Sequence, residues 1–294
     1  MAEIRVAREA GACYGVERAL RLVDQAAREH PDVHTLGPLI HNPRVVRELA
    51  ARGVDEVDDL SELPAGSTIV IRSHGVVPSV IRGAQDRGLG VVDATCPHVK
   101  KAHDSARMLA EQGYTVVIVG EPGHPEVEGI LGHANGSAIV VDNPAELEGR
   151  TIGGRVGVVV QTTQTKELLD AVLAALTPRV SELRVFPTIC SATRRRQQAA
   201  AELSAQADVM IVVGGRNSGN TTRLAQICAG NCPATHHIEG ADELDPSWFA
   251  GAGVIGITAG ASTPASQIES VRAAIQRLTE TPGTSGTPRD EVRA

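Results

Sequence analysis

Aromatic residues are nearly absent: one Trp, two Tyr and two Phe, 2% of 294 residues. A platform for single-stranded nucleic acid, which stacks bases on aromatic rings, is therefore not expected. An excess of positive charge is also missing. The net charge is −7, so no general basic surface exists for DNA or RNA. An anionic small molecule needs instead a local pocket that overrides the global field. Long apolar runs are lacking too. Stretches such as Val116–Val119 and Val156–Val160 are far too short to span a bilayer. Near the start, Glu3, Arg5, Arg8 and Glu9 leave no apolar core of a secretion signal. Cysteines number five, an odd count that does not suit a secreted disulfide framework. These absences predict a cytoplasmic protein without nucleic-acid or membrane partners, whose thiols are buried, metal-binding or catalytic.

What is present is an ordinary globular composition, 42% hydrophobic and 21% charged, long enough for a substantial core. Short β-rich runs alternate with helical stretches, which points to parallel α/β layers. The expected strands are Ile4–Ala7, Val33–Leu36, Thr68–Ile71, Gly90–Val92, Thr115–Val119, Ala138–Val141, Val156–Val160, Leu183–Phe186, Val209–Val213 and Gly253–Ile257. Helical patterns lie between many of them, for example Val16–Arg28, Lys101–Gln112 and Arg194–Ala205.

A repeat emerges when distances are counted from three cysteines. Gly37, Gly120 and Gly214 each stand twenty-four positions after Cys13, Cys96 and Cys190, and each ends an apolar strand. Twenty-eight positions after the cysteines come His41, His124 and Ser218; at thirty come Pro43, Glu126 and Asn220. The second half of each unit recurs as a strand running into a polar loop: IRSHG with His74, VVQTTQT with Thr162, GITAGAS with Ser262. Short strands then deliver Cys96 and Cys190. The third unit lacks a final strand, and the N-terminal IRVA can supply it. The spacing predicts three similar parallel-sheet α/β lobes in pseudo-threefold arrangement: residues 14–95, residues 96–187, and residues 188–278 with 1–13. Residues 279–294, rich in Pro, Gly, Ser and Thr, read as a disordered tail.

Ligands of open parallel sheets bind beyond the carboxyl ends of the strands. Pseudo-threefold lobes would therefore aim three cysteines and three sets of polar loops at one central cavity. Three converging thiolates suit an iron–sulfur cluster, and on a four-iron core they leave one iron free for substrate. Cys228 and Cys232 lack this placement; although His236 and His237 follow them, the spacing is not a common zinc pattern, and both read as idle buried thiols. His41, His74, His124, Ser218, Asn220 and Ser262 form a donor-rich, largely neutral set suited to a phosphate or diphosphate. Glu126, the only acidic group at its repeat position, is the candidate proton carrier, with Glu128 its competitor at the helix start. Arg194–Arg196 reads as a solvated helix face. His98, Lys100, Lys101 and His103 add positive potential after Cys96 without being ligands.

The segments GACYGVERA, IHNPRVV, IRSHGV, DATCPHVKKAH, GHPEVEG, QTTQT, TICSATRRRQ, GGRNSGNTTRL and ITAGAS together resemble the LytB-type iron–sulfur enzymes, the 4-hydroxy-3-methylbut-2-enyl diphosphate reductases. The resemblance runs from about residue 4 to residue 277. It implies three α/β lobes around a central [4Fe–4S] cluster held by Cys13, Cys96 and Cys190. It also implies diphosphate binding by His41, His74, His124, Ser218, Asn220 and Ser262, and proton relay by Glu126. Thr162 would lie beside the substrate's hydroxymethyl end, and Thr193 is a further threonine near the site. The reaction implied is reductive dehydroxylation of (E)-4-hydroxy-3-methylbut-2-enyl diphosphate to isopentenyl and dimethylallyl diphosphate, the last step of the methylerythritol phosphate pathway. Electrons would come from a donor such as ferredoxin or flavodoxin, to a monomer or weak homodimer. Two rivals stand beside it: a non-redox iron–sulfur dehydratase or synthase of quinolinate synthase type, and a three-lobed binding protein for a phosphorylated ligand. This chain departs from the family pattern at Ala12, where a Phe is common, at Tyr14 for an Ala, and at Gly219 for a Ser.

Overall fold

Twelve strands among the described residues fall into three four-stranded sheets, every pairing parallel. The computed structural model describes residues 2–135 and 138–280. The chain opens with β1 (Glu3–Val6), α1 (Tyr14–Glu29), β2 (Val33–Leu36), α2 (Pro43–Ala50), β3 (Val54–Val57), β4 (Thr68–Ile71), α3 (Pro78–Asp86) and β5 (Gly90–Asp93). It continues with α4 (Pro97–Glu111), β6 (Thr115–Val119), α5 (Pro125–His133), β7 (Ile139–Val141), β8 (Arg155–Val160), α6 (Lys166–Leu176) and β9 (Glu182–Phe186). Last come α7 (Ser191–Ser204), β10 (Val209–Val213), α8 (Gly219–Asn231), β11 (Thr235–Ile238), β12 (Val254–Ala259) and α9 (Ala265–Glu280). Helix α9 thus runs two residues into the segment expected to be tail; 281–294 lie outside the described residues.

The sheets repeat one topology: β3-β2-β4-β5, β7-β6-β8-β9 and β11-β10-β12-β1. The outer position of the third sheet is filled by β1, which pairs with β12 from Glu3↔Val254 to Val6↔Ile257. Hydrogen bonds obey the same frame. The amides of Gly37, Gly120 and Gly214 donate to the last carbonyls of β3, β7 and β11 at 2.8, 2.9 and 2.9 Å. Glycine is required at the third of these, where φ is +146° and a Cβ would sit 2.7 Å from Thr263 Oγ1.

Strands β3 and β11 were not among those expected from the sequence. Both are edge strands, VDEV and THHI, with too few apolar residues to register as β-rich runs. The central strands are legible because both faces are covered, which demands continuous β-branched character. Residues of β10 alternate between two cores. Val209, Ile211 and Val213 pack with Ile268, Val271 and Ile275 of α9; Met210 and Val212 pack with Ala200 of α7 and Leu224 of α8. Each such buried Val or Ile contributes about 1.5–3 kcal/mol relative to exposure. Cys228 and Cys232 belong to that second core, where Cys228 Sγ donates to Ala200 O at 3.9 Å and Cys232 Sγ to Asp208 O at 3.5 Å, and burial pushes the Cys228 thiol up to about 11. Among the described residues no helix is long and apolar enough to cross a membrane.

Candidate active site

In each sheet the strand order reverses between the two central, parallel strands: β2 and β4, β6 and β8, β10 and β12. The crevice beyond their carboxyl ends is where ligands of open parallel sheets bind. The three crevices merge into one cavity. All twelve residues singled out from the sequence line it.

The cysteines enter first. Cys13, Cys96 and Cys190 each occupy the N-cap of a helix, α1, α4 and α7 respectively, with extended backbone. The helices therefore begin directly at the thiols, earlier than the sequence pattern indicates. Each cysteine amide is anchored alike: Cys13 to Ala261 O at 3.0 Å, Cys96 to Ser73 O at 2.9 Å, Cys190 to Thr162 O at 3.0 Å. None of the three side chains caps its helix, so each thiol is left at the positive end of a helix dipole. Gly15 makes room for them. A Cβ there would meet Cys96 Sγ at 2.6 Å and Cys13 Sγ at 3.8 Å. Burial raises the Cys96 thiol pKa, opposed by the amides of His98 and Val99, with the charges of Cys13 and Cys190 adding to the rise.

The anchoring pattern corrects one expected equivalence. It aligns Thr162 with Ser73 and Ala261, so Thr163, not Thr162, corresponds to His74 and Ser262. Thr163 and the buried Ser73 also line the cavity and were missed; counting two and three residues from the ends of β4, β8 and β12 finds them, Ser73 at the second place with Thr162 and Ala261, Thr163 at the third with His74 and Ser262.

Three imidazoles meet across the lobes. Ring centroids lie 4.2 Å apart for His41 and His74, 5.2 Å for His41 and His124, and 5.7 Å for His74 and His124. Burial lowers His41 and His124 to about 4, with Arg72 adding to the effect, and carries His74 well below the ordinary imidazole value. All three are thus neutral at pH 7. The Glu126 amide donates to His124 Nδ1 at 3.1 Å, which assigns the ring proton to Nε2. Ser262 Oγ donates to His41 O at 3.0 Å, and Asn42 Nδ2 donates to Ser262 O at 2.8 Å, locking two loops together. Both ring nitrogens of His41, Nδ1 of His74, and Nδ2 and Oδ1 of Asn220 are buried without a hydrogen-bond partner. Unsatisfied buried polar groups are costly and rare, and these residues line one cavity, where a polar partner, water or ligand, can complete them. Ser218 caps α8 through Thr221 N, leaving its own hydroxyl hydrogen for the cavity.

Glu126 is 2% exposed and lies in the first turn of α5, as does Glu128, which is exposed. Its carboxyl accepts from Thr162 N at 2.6 Å and from Thr162 Oγ1 at 2.8 Å. Burial pushes it up to about 7, against the pull of those two bonds. Thr193 is buried in the first turn of α7. Within Arg194–Arg196 only the first two are exposed. Arg196 is 4% exposed and lines the cavity, because it follows Thr193 by three residues on the inner helix face. His98 is exposed and lines the cavity, Lys100 pairs with Asp93 at 2.6 Å, and His103 stacks on His133 outside it.

Known proteins resemble this arrangement along nearly the whole chain. The family model described as LytB protein matches residues 4–276. A 4-hydroxy-3-methylbut-2-enyl diphosphate reductase of Citrifermentans bemidjiense is 48% identical over 262 residues, 89% of this chain and 93% of the relative. The solved structure of (E)-4-hydroxy-3-methyl-but-2-enyl diphosphate reductase, described as the terminal enzyme of the non-mevalonate pathway, is 44% identical with a TM-score of 0.69, covering 94% of this chain and 100% of that one. That of the E-1-hydroxy-2-methyl-but-2-enyl-4-diphosphate reductase from Plasmodium falciparum is 26% identical with a TM-score of 0.86, covering 96% and 89%. A match this long, over three lobes with one shared topology, establishes that the chain belongs to the LytB family.

Proposed function

We propose that this chain reduces (E)-4-hydroxy-3-methylbut-2-enyl diphosphate, removing its hydroxyl as water to give isopentenyl and dimethylallyl diphosphate. The reading is carried by one observation: three thiols, unpartnered imidazole and amide atoms, and a carboxyl titrating near neutrality share a single cavity. The names of the relatives, a reductase in each case, speak against the non-redox dehydratase and the binding protein.

The donor set fits a [4Fe–4S] cluster held by Cys13, Cys96 and Cys190. The three thiols come from equivalent helix N-termini, and Gly15 keeps the space over two of the sulfurs clear. When bound, the cluster supplies electrons and a Lewis-acidic iron. A one-electron carrier such as a ferredoxin or flavodoxin would deliver two electrons per turnover.

The remaining tasks fall to side chains. His41, His74 and His124, with Ser218 and Asn220, bind the diphosphate as hydrogen-bond donors, joined by Ser262 once its hydroxyl turns from His41 O to the anion. The anion's charge raises the imidazole pKa values, so binding draws protons onto the rings. Thr162 Oγ1 donates to the Glu126 carboxylate at 2.8 Å; once Glu126 is protonated the bond reverses, so that the carboxyl donates to Oγ1 and the threonine proton is free to pass onward. Two protons and two electrons enter for each water released. Glu126, buried on the cavity wall beside Thr162, is the carboxyl placed to deliver a proton there.

Anaerobic reconstitution tests the proposal. The parent takes up iron and sulfide and converts the diphosphate with a reduced donor. Cys96→Ser loses most iron and nearly all turnover, whereas Cys228→Ala keeps both. A fully loaded parent that leaves the diphosphate unreduced overturns the function, and full iron in Cys96→Ser overturns the ligand assignment.

A further inference from the structure

Arg196 is a buried cation that the proposed mechanism does not use. It is 4% exposed, on the inner face of α7, six residues after Cys190. Nη2 donates to Gly11 O at 2.7 Å and Nη1 to Ala192 O at 3.3 Å, while Nε is buried without a partner. Two carbonyls do not neutralise a guanidinium, and a buried charge without an opposite charge is strongly unfavourable. Among the described residues no carboxylate lies within ion-pairing distance of Arg196. Glu9, whose field reaches it, already pairs with Arg195 at 3.3 Å, and the cavity thiols of Cys13 and Cys190 are the other groups whose charge it would feel. As thiolates holding a cluster, those two would be its remaining counter-charges.

Resting on the cluster reading above, we propose that Arg196 is the resident counter-cation of the iron–sulfur group and sets how readily that group accepts an electron. An oxidised [4Fe–4S] core is doubly positive; three thiolates make the whole singly negative, and one electron from a low-potential donor makes it doubly negative. A fixed positive charge in a dry wall favours the more negative, reduced state. The same contact with Gly11 O fastens the loop that carries Cys13, so a purely structural clamp is the competing account.

Charge and clamp separate in two variants. Arg196→Gln removes the charge; Arg196→Lys keeps it but loses the two-pronged hydrogen bonding. The readouts are iron and sulfide per chain and the midpoint potential from an anaerobic titration with dithionite followed by electron paramagnetic resonance. We expect Arg196→Gln to be at least about tenfold harder to reduce, 59 mV for one electron, and Arg196→Lys to stay within about threefold of the parent. A loaded Arg196→Gln protein with the parent's potential overturns the proposal. If Arg196→Gln holds no cluster, Arg196→Lys decides. Retention of iron and potential supports the charge; equal loss in a folded Lys variant shows a clamp and overturns it. A parent that takes up no iron and sulfide defeats the cluster reading itself, and this proposal with it.

Discussion

Glu126 and Asn220 occupy the same place in two lobes. Each is the second residue of the helix after a lobe's first central strand, α5 or α8, and each is buried on the cavity wall. Their surroundings are opposite. Both oxygens of Glu126 are taken by Thr162, whereas neither polar atom of Asn220 has a partner. The backbone frame is therefore neutral as to chemistry, and what each lobe does depends on whether its side chain is satisfied from within. A satisfied carboxyl can hold and release a proton in a fixed place. An unsatisfied amide is built to meet something that arrives.

The sharpest way to break this contrast is to make Glu126 resemble Asn220. Glu126→Gln keeps the shape and hydrogen-bonding capacity but loses the exchangeable proton. We expect turnover to fall about 10²–10⁴-fold, the usual scale for a general acid, with cluster content and substrate affinity retained. Single-turnover kinetics with a pre-reduced cluster reads the proton step alone. A rate within a few-fold of the parent removes Glu126 from the mechanism. Glu128→Gln, on the exposed side of the same turn, should leave the rate nearly unchanged.

The same pair predicts a pH dependence of stability. The folded protein holds Glu126 up to about 7, above the ordinary 4.5, because burial disfavours the carboxylate. Its contribution is then fully present below about 4.5 and is lost as pH rises through 7. The amount is about 3 kcal/mol, with Glu126→Gln as the reference that does not titrate. Melting curves of the two proteins should converge or cross as pH rises from 4.5 to 8. A constant gap means that Glu126 has an ordinary carboxylate pKa in the folded state.

Asn220 should respond differently. Asn220→Ala removes groups that wait for a ligand, so stability is kept or rises while diphosphate affinity falls about tenfold to a hundredfold, the scale of a hydrogen bond to a charged partner. His74→Ala should behave alike. Calorimetry with the substrate on oxidised protein measures both without turnover. Unchanged affinity in either variant removes that residue from the anion site.

Much of this contrast was legible in the sequence, because glycine and cysteine at fixed intervals mark strand ends and helix starts. The interval alone places Glu126 and Asn220 at one repeat position. It could not say which was satisfied, since Thr162 reaches Glu126 from thirty-six positions away. The loop after β8 was read one residue out of frame because QTTQT offers adjacent threonines, and only the Cys190 amide bond fixes which is which. Arg196 was read as a solvated charge because charge outweighed periodicity. Its spacing from Thr193, Ala199 and Ala200, all buried, follows the inner face of α7. The edge strands β3 and β11 were missed because an edge has less apolar surface to cover.

The two regions also touch, and the contact yields the smallest expected effect. Gly219, where the family pattern has a serine, precedes Asn220; Glu121 precedes Glu126 in the loop after β6. A Cβ on Gly219 would lie 3.0 Å from Glu121 Oε2, and Arg223 Nη2 lies 3.6 Å from Glu121 Oε1. The carboxylate end is flexible and partly exposed, so it can yield a few tenths of an ångström, and Gly219→Ser should fold normally. The new hydroxyl has two possible acceptors, the diphosphate and the Glu121 carboxylate. Since the carboxylate is already adjacent, it takes the hydrogen bond, and Gly219→Ser alone should change substrate affinity by less than about threefold, under 1 kcal/mol. In Glu121→Gln the competing charge is gone. The double variant should then bind the diphosphate more tightly than the two single effects combined predict. A cycle of the parent, two singles and the double isolates that coupling. Additive effects would place the serine hydroxyl on neither partner, and a large gain in Gly219→Ser alone would place it on the diphosphate from the start.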